Sequence, residues 1–281
     1  LDEAIQVFQR QVEISQTLNE QHSLTIGFNC LGGVFQQQGK RDEAIEAFQQ
    51  VVEISQAIDD QRQMAIGLNR LGGVFQQLGR LDEAIEAFQR EVEISQTLND
   101  QRQMAIGLNC LGGVFQQQGK CDEAIQAFQQ VVEISQAMDD PRSLTMGLSS
   151  ISRLLQEQGQ IVEAIDTLYR IVAIEDNLGN QRGLAMTLSS LSGLLREQGR
   201  IAETLDALEH IITIEGQLGN QSSLAQTLTS LGIVLLDQGR FDEAADAFQR
   251  SAEINKQLDD KQHWAIARTS QAVVLHQQGC F

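Results

Sequence analysis

Apolar and polar positions recur along this chain with two nested periods. The short period is helical. Met64, Leu68, Leu71 and Phe75 fall at intervals of four, three and four residues, so they line one face of an α-helix. A second stripe follows at Ala84, Ile85, Phe88, Val92 and Leu98. The long period is 40 residues. Gly39, Gly79, Gly119, Gly159, Gly199, Gly239 and Gly279 mark it, as do Ala4, Ala44, Ala84, Ala124, Ala164 and Ala244, with Thr204 the exception. A fixed period of this size signals a stack of like supersecondary units, each unable to bury its apolar face alone.

The polar positions punctuate each unit. Gly79 follows the first helix, where a left-handed cap favours glycine. Asp82 and Glu83 open the second helix, where negative charge suits the helix dipole. Asp60, Asp100, Asp140, Asn180, Asn220 and Asp260 precede each first helix as N-cap candidates. Pro141, the single proline, follows Asp140 at a position where a missing N–H needs no partner. The pattern predicts fourteen helices of about 16–18 residues joined by short turns, and no strand. Gly72 recurs as Gly32, Gly112, Ser152, Ser192, Gly232 and Ala272, predicting close helix approach, with Ala84 and its equivalents filling the matching place. Phe8, Phe48, Phe88, Phe128 and Phe248 share one position and are expected to plug between hairpins. Trp264 aligns with Met64 and Met104 and reads as core.

Charge narrows the function. Lys and Arg number 20 against 38 Asp and Glu, a net charge of -18. This disfavours nucleic acid, which needs clustered cations, and anionic membranes. No apolar run is long enough to span a bilayer, and no signal-peptide pattern opens the chain. Cys30 and Cys110 lie two units apart, too far to bridge, and with Cys121 and Cys280 they read as reduced thiols of a cytoplasmic protein. The four histidines show no metal-binding or catalytic spacing, and no nucleophile has a base nearby. The reading is a non-enzyme without metal or cofactor.

Leu71-Gly72, Phe75, Gly79, Ala84 and Phe88 match, in order and spacing, the tetratricopeptide repeat (TPR) signature, and the match runs through the whole chain. The 40-residue unit is similar to the repeats of Pins/LGN and kinesin-light-chain proteins, and to bacterial signalling proteins bearing such arrays. The resemblance implies an all-α, right-handed solenoid superhelix of antiparallel helix pairs. It would form one domain over 1–281, with units 1–40, 41–80, 81–120, 121–160, 161–200, 201–240 and 241–280. The chain opens without Met inside a unit and reads as part of a longer protein.

In this family the first helices line a concave groove that binds a peptide or an amphipathic helix. By that resemblance, the groove stripe comprises Ile26, Ile66 and Ile106; Asn29, Asn69 and Asn109; Gln36, Gln76 and Gln116; and Gln37, Gln77 and Gln117. Amides donate and accept together, which suits an extended backbone, and Gly33, Gly73 and Gly113 leave room for it. Further along, Glu157, Glu197 and Asp237 would favour a Lys- or Arg-bearing segment. Each ladder also has a plainer reading. The asparagines satisfy neighbouring groups between units, the Ile/Met ladder (with Met146 and Met186) packs between units, and the acids form a solvated face. A groove carboxylate clamp is absent, since no aligned cations flank the asparagines. The alternative to a binding module is an assembly scaffold, or the sensor arm of a larger signalling protein, with apolar end faces associating head to tail.

Overall fold

The computed structural model describes residues 1–277 and 279. Among them are fourteen helices and no strand: α1 (Asp2–Leu18), α2 (Gln21–Gln37), α3 (Arg41–Ala57), α4 (Gln61–Gln77), α5 (Leu81–Thr97), α6 (Gln101–Gln117), α7 (Cys121–Ala137), α8 (Pro141–Glu157), α9 (Ile161–Asn177), α10 (Gln181–Glu197), α11 (Ile201–Leu218), α12 (Gln221–Asp237), α13 (Phe241–Gln257) and α14 (Lys261–Gln277). Two compact units, Leu1–Leu154 and Leu155–Phe281, divide the chain. Within each, a helix packs chiefly on its sequence neighbours, the arrangement of a TPR-like solenoid.

The turns explain the strict period. Even-numbered helices end on a glycine, as at Gly79 with φ 73°. There the Arg80 N–H donates to the Phe75 carbonyl at 2.9 Å, and the Gly79 N–H to that of Gln76 at 3.1 Å. This is a Schellman cap, which takes glycine because its left-handed residue cannot carry a Cβ without strain. Most odd-numbered helices end instead on Asn19, Asp59, Asn99, Asp139 or Asp259 in the same conformation, which Asn and Asp tolerate best among residues with side chains. The side chains of Asp60, Asp100, Asp140, Asn180 and Asp260 each accept the expected N-cap bond. Asn220 departs from this: its side chain accepts no cap bond.

Core packing corrects one expectation. A Cβ at Gly72 would stand 2.8 Å from Cε1 of Phe88, and those at Gly32, Gly112 and Gly232 would equally strike Phe48, Phe128 and Phe248. The phenyl ring, and not the Ala84 methyl, occupies the space the glycine leaves. Those four rings are buried, whereas Phe8 on α1 is half-buried. The sequence carries the same complementarity elsewhere: where leucine replaces the ring, at Leu168 and Leu208, the glycine becomes Ser152 and Ser192. Trp264 is a second correction. It is 40% exposed: the equivalent Met64 is covered by Ala87 and Ile94 of α5, and no described helix holds that place against α14.

Candidate functional site

Two pairs of consecutive even-numbered helices, α6 with α8 and α10 with α12, leave a slot between them, floored by the odd-numbered helix that joins them. Between α6 and α8 the slot is a cavity of about 330 Å³, bordered by Ile106, Asn109 and Met146 and floored by Val131 and Ser135 of α7. Between α10 and α12 it is a cavity of about 480 Å³, bordered by Met186, Ser189, Arg196, Gln226 and Thr227 and floored by Ile211 and Glu215 of α11.

The ladders anticipated from sequence fall in several places. Ile26 and Ile106 are exposed, as are Met146 and Met186, the last at 69%; Ile66 is half-buried. The reading that this ladder packs between units is therefore corrected: it faces solvent beside the slots. Gln36, Gln76 and Gln116 are half-buried, and Gln37, Gln77 and Gln117 are exposed. The Gln76 amide nitrogen lies over Gly113, 3.7 Å from where a Cβ would stand, while Gly33 and Gly73 face open space. Glu157, Glu197 and Asp237 are exposed at the ends of α8, α10 and α12, and none of them borders either cavity. Cys30, Cys110 and Cys121 are free thiols; Cys280 lies outside the described residues.

The asparagine ladder is not uniform. Asn69 donates to a carboxylate oxygen of Glu91 at 2.9 Å and lies 3.9 Å from the Cys110 sulfur. Gln103 donates to the other Glu91 oxygen at 2.6 Å. Glu91 is fully buried. Burial raises its pKa from 4.5 to about 7, against the two amide bonds that lower it. Burial, then the Glu91 charge, also pushes the Cys110 thiol up to about 11. Asn69 thus takes the plainer role of satisfying a neighbour. Opposite Asn29 and Asn109 the corresponding floor residues are Val51 and Val131, which offer an amide nothing.

Sequence reasoning missed the floor itself. Ser15, Ser55, Ser95, Ser135, Glu175, Glu215 and Asn255 occupy one position of the repeat, and all are buried. The signal was visible: Ala84, Phe88, Glu91 and Ser95 fall on one helical face, so polar residues interrupt an apolar stripe. The hydroxyls of Ser55, Ser95 and Ser135, and Oε2 of Glu215, are buried without a partner among the described residues. Glu175 differs, since Asn180 donates to its Oε2 at 2.6 Å. No group of three or more metal-ligating side chains occurs among the described residues, and no described helix is long and apolar enough to cross a membrane.

The tetratricopeptide repeat profile matches residues 26–97, 63–137, 103–174 and 183–257. The chain belongs to the tetratricopeptide repeat family. No curated protein matches it. Solved structures resemble this TPR chain in fold. BtubC (BKLC) from P. vanneervenii is 18% identical with a TM-score of 0.66, over 78% of this chain and 92% of that one. A putative kinesin light chain from Podosopora anserina is 24% identical with a TM-score of 0.57, over 72% and 96%. A Rap protein complexed with competence and sporulation factor is 11% identical with a TM-score of 0.51, over 98% and 85%. TPR arrays are in general protein-interaction scaffolds without catalysis of their own.

Proposed function

We propose that the chain binds a protein partner through an extended peptide or amphipathic helix laid along its even-numbered helices, with no chemistry performed on it. The observation that carries this reading is the α6–α8 slot. There the exposed side chains of Ile106 and Met146 border the same cavity as Asn109, and the floor position that holds Glu91 beside Asn69 is Val131. Apolar anchors beside an amide with both donors and acceptor available suit a peptide main chain. Asn29, Ile26 and the open surface at Gly33 repeat the arrangement on α2. A Rap protein of like fold, solved in complex with competence and sporulation factor, agrees with a recognition role. The negative balance favours partners other than nucleic acid or anionic membranes, and the free thiols suit the cytoplasm.

Peptides selected from a display library on the whole chain test the reading. Replacing Asn29 and Asn109 with Ala is expected to weaken the selected peptides by about three- to tenfold per amide, at unchanged helicity. Equal binding to the doubly substituted chain would overturn it. Asn69 is left intact in this test because its loss removes one of the two donors to the buried Glu91.

The second reading is assembly. Val7, Ile14 and Leu18 on α1, and Trp264, Ile266 and Val273 on α14, are large apolar side chains at the surface. Head-to-tail association through such faces builds open chains. Sedimentation at increasing concentration separates the two readings: a constant monomer mass removes assembly.

A further inference from the structure

Two glutamates one unit apart occupy the same buried position and meet different neighbours. At Glu175, Asn180 caps α10 and turns its amide onto the carboxylate at 2.6 Å. Gly183 permits this: a Cβ there would stand 2.5 Å from the Asn180 amide nitrogen and 2.6 Å from Glu175 Oε2. At Glu215 the third residue of the next helix is Ser223. The Asn220 amide donates to the Ser223 hydroxyl at 3.0 Å, and Glu215 Oε2 is left buried without a partner. Glu215 is only 7% exposed, yet it lines the cavity of about 480 Å³ between α10 and α12. With serine in place of glycine the internal donor is turned away, and the carboxylate sits in the wall of the slot with one oxygen unpaired.

We propose that this slot is a specificity pocket for the basic side chain, arginine or lysine, of the bound peptide, with Glu215 as its counter-charge. A buried carboxylate with an unsatisfied oxygen is costly, and a guanidinium or ammonium supplies both the donors and the charge it lacks. The rim fits such a chain. Met186 is exposed beside it to cover an aliphatic stem, and the hydroxyls of Ser189 and Thr227 border the same space. Arg196 also borders the cavity, seven residues beyond Ser189, about 10 Å along α10, toward the opposite end of that helix from Met186. The proposal deepens the peptide-binding reading and relocates the acid that selects a basic segment from the exposed Glu157, Glu197 and Asp237 to the slot floor.

The test uses the whole chain and two small probes, N-acetyl-arginine methylamide and its neutral isostere N-acetyl-citrulline methylamide, titrated by amide-resolved NMR. The arginine probe is expected to bind at the slot, shifting α11 and α12 resonances, and to exceed the citrulline probe by about tenfold. Glu215→Gln is expected to erase the difference. Ser223→Gly, which keeps Glu215 but frees Asn220 to close over it, is expected to do the same. Equal binding of both probes to the unaltered chain would overturn the pocket whatever the variants do, as would full binding to a folded Glu215→Gln chain. Because the probes are single residues read in α11 and α12, failure here leaves the peptide selection on Asn29 and Asn109 standing, and failure there leaves this titration readable.

Discussion

The turns at Glu175 and Glu215 are built from nearly the same residues, a buried glutamate followed five positions on by an asparagine. In one, the asparagine caps the next helix and neutralises the glutamate's need for a donor. In the other it does neither. The difference lies in whether the third residue of the following helix has a side chain. A repeat array holds its backbone in register, so a single side chain can move a buried carboxylate from internal packing to display without disturbing the fold. Glu91 is a third solution: there Asn69 and Gln103 approach from two helices and hold both oxygens.

The sharpest break between the two turns is expected from removing the asparagines. Asn180→Ala loses an N-cap bond, worth about 1 kcal/mol, and orphans a buried carboxylate, at about 1–3 kcal/mol more. Asn220→Ala loses only its bond to Ser223 and should cost less than about 0.5 kcal/mol. Denaturant midpoints of the two variants measure the gap. Equal losses would mean that Asn220 closes onto Glu215 in solution, and the comparison would collapse.

Much of this architecture was legible in the sequence. The 40-residue period and the apolar stripes give the helices and their order, because every unit repeats the same caps at the same positions. Partner choice in the core was less legible. Gly72 announced a close approach, but only the fold shows that Phe88 fills it, since Ala84 lies on the same helix one turn earlier and satisfies the same periodicity. The asparagine ladder looked uniform because Asn29, Asn69 and Asn109 are identical. What separates them sits on another helix, as Val51, Glu91 and Val131. The Ile/Met ladder reads equally as a packing seam, because burying large apolar residues is favourable, and composition says nothing of which way a helix is turned. The floor residues were hidden by being polar within a stripe read for its apolar members.

Glu91 allows the same comparison to be made by pH. Its pKa rises from 4.5 to about 7 on folding. Below about 4.5 it is protonated in both states. Between about 4.5 and 7 the unfolded chain releases its proton while the folded chain retains it, so stability falls as pH rises through that window. At about 1.4 kcal/mol per pKa unit the loss approaches about 3 kcal/mol by pH 8. Glu91→Gln should flatten the dependence. Asn69 on α4, with Gln103 and Cys110 on α6, are the polar groups facing it, and none of them titrates in that range. A pH slope unchanged in Glu91→Gln would show that another group produces it.

The smallest effect is also the most discriminating, because its sign runs against ordinary expectation. Glycine in place of serine near a helix start normally costs about 0.5 kcal/mol in helix propensity. At Ser223 the substitution should instead stabilise the chain. Without the hydroxyl, the Asn220 amide loses its present partner and can turn onto Glu215, as Asn180 does on Glu175, while its carbonyl oxygen becomes available to cap α12. A hydrogen bond to a buried charged group contributes about 1.5–3 kcal/mol, so a net gain of about 1 kcal/mol is expected after the propensity loss. The converse, Gly183→Ser, should destabilise by more than Ser223→Gly gains, since its Cβ would collide with both Asn180 and Glu175. If Ser223→Gly lowers the denaturant midpoint, the serine is not what keeps Asn220 from Glu215. The openness of that slot would then have to come from the backbone of α11, which runs one residue longer than its sister helices.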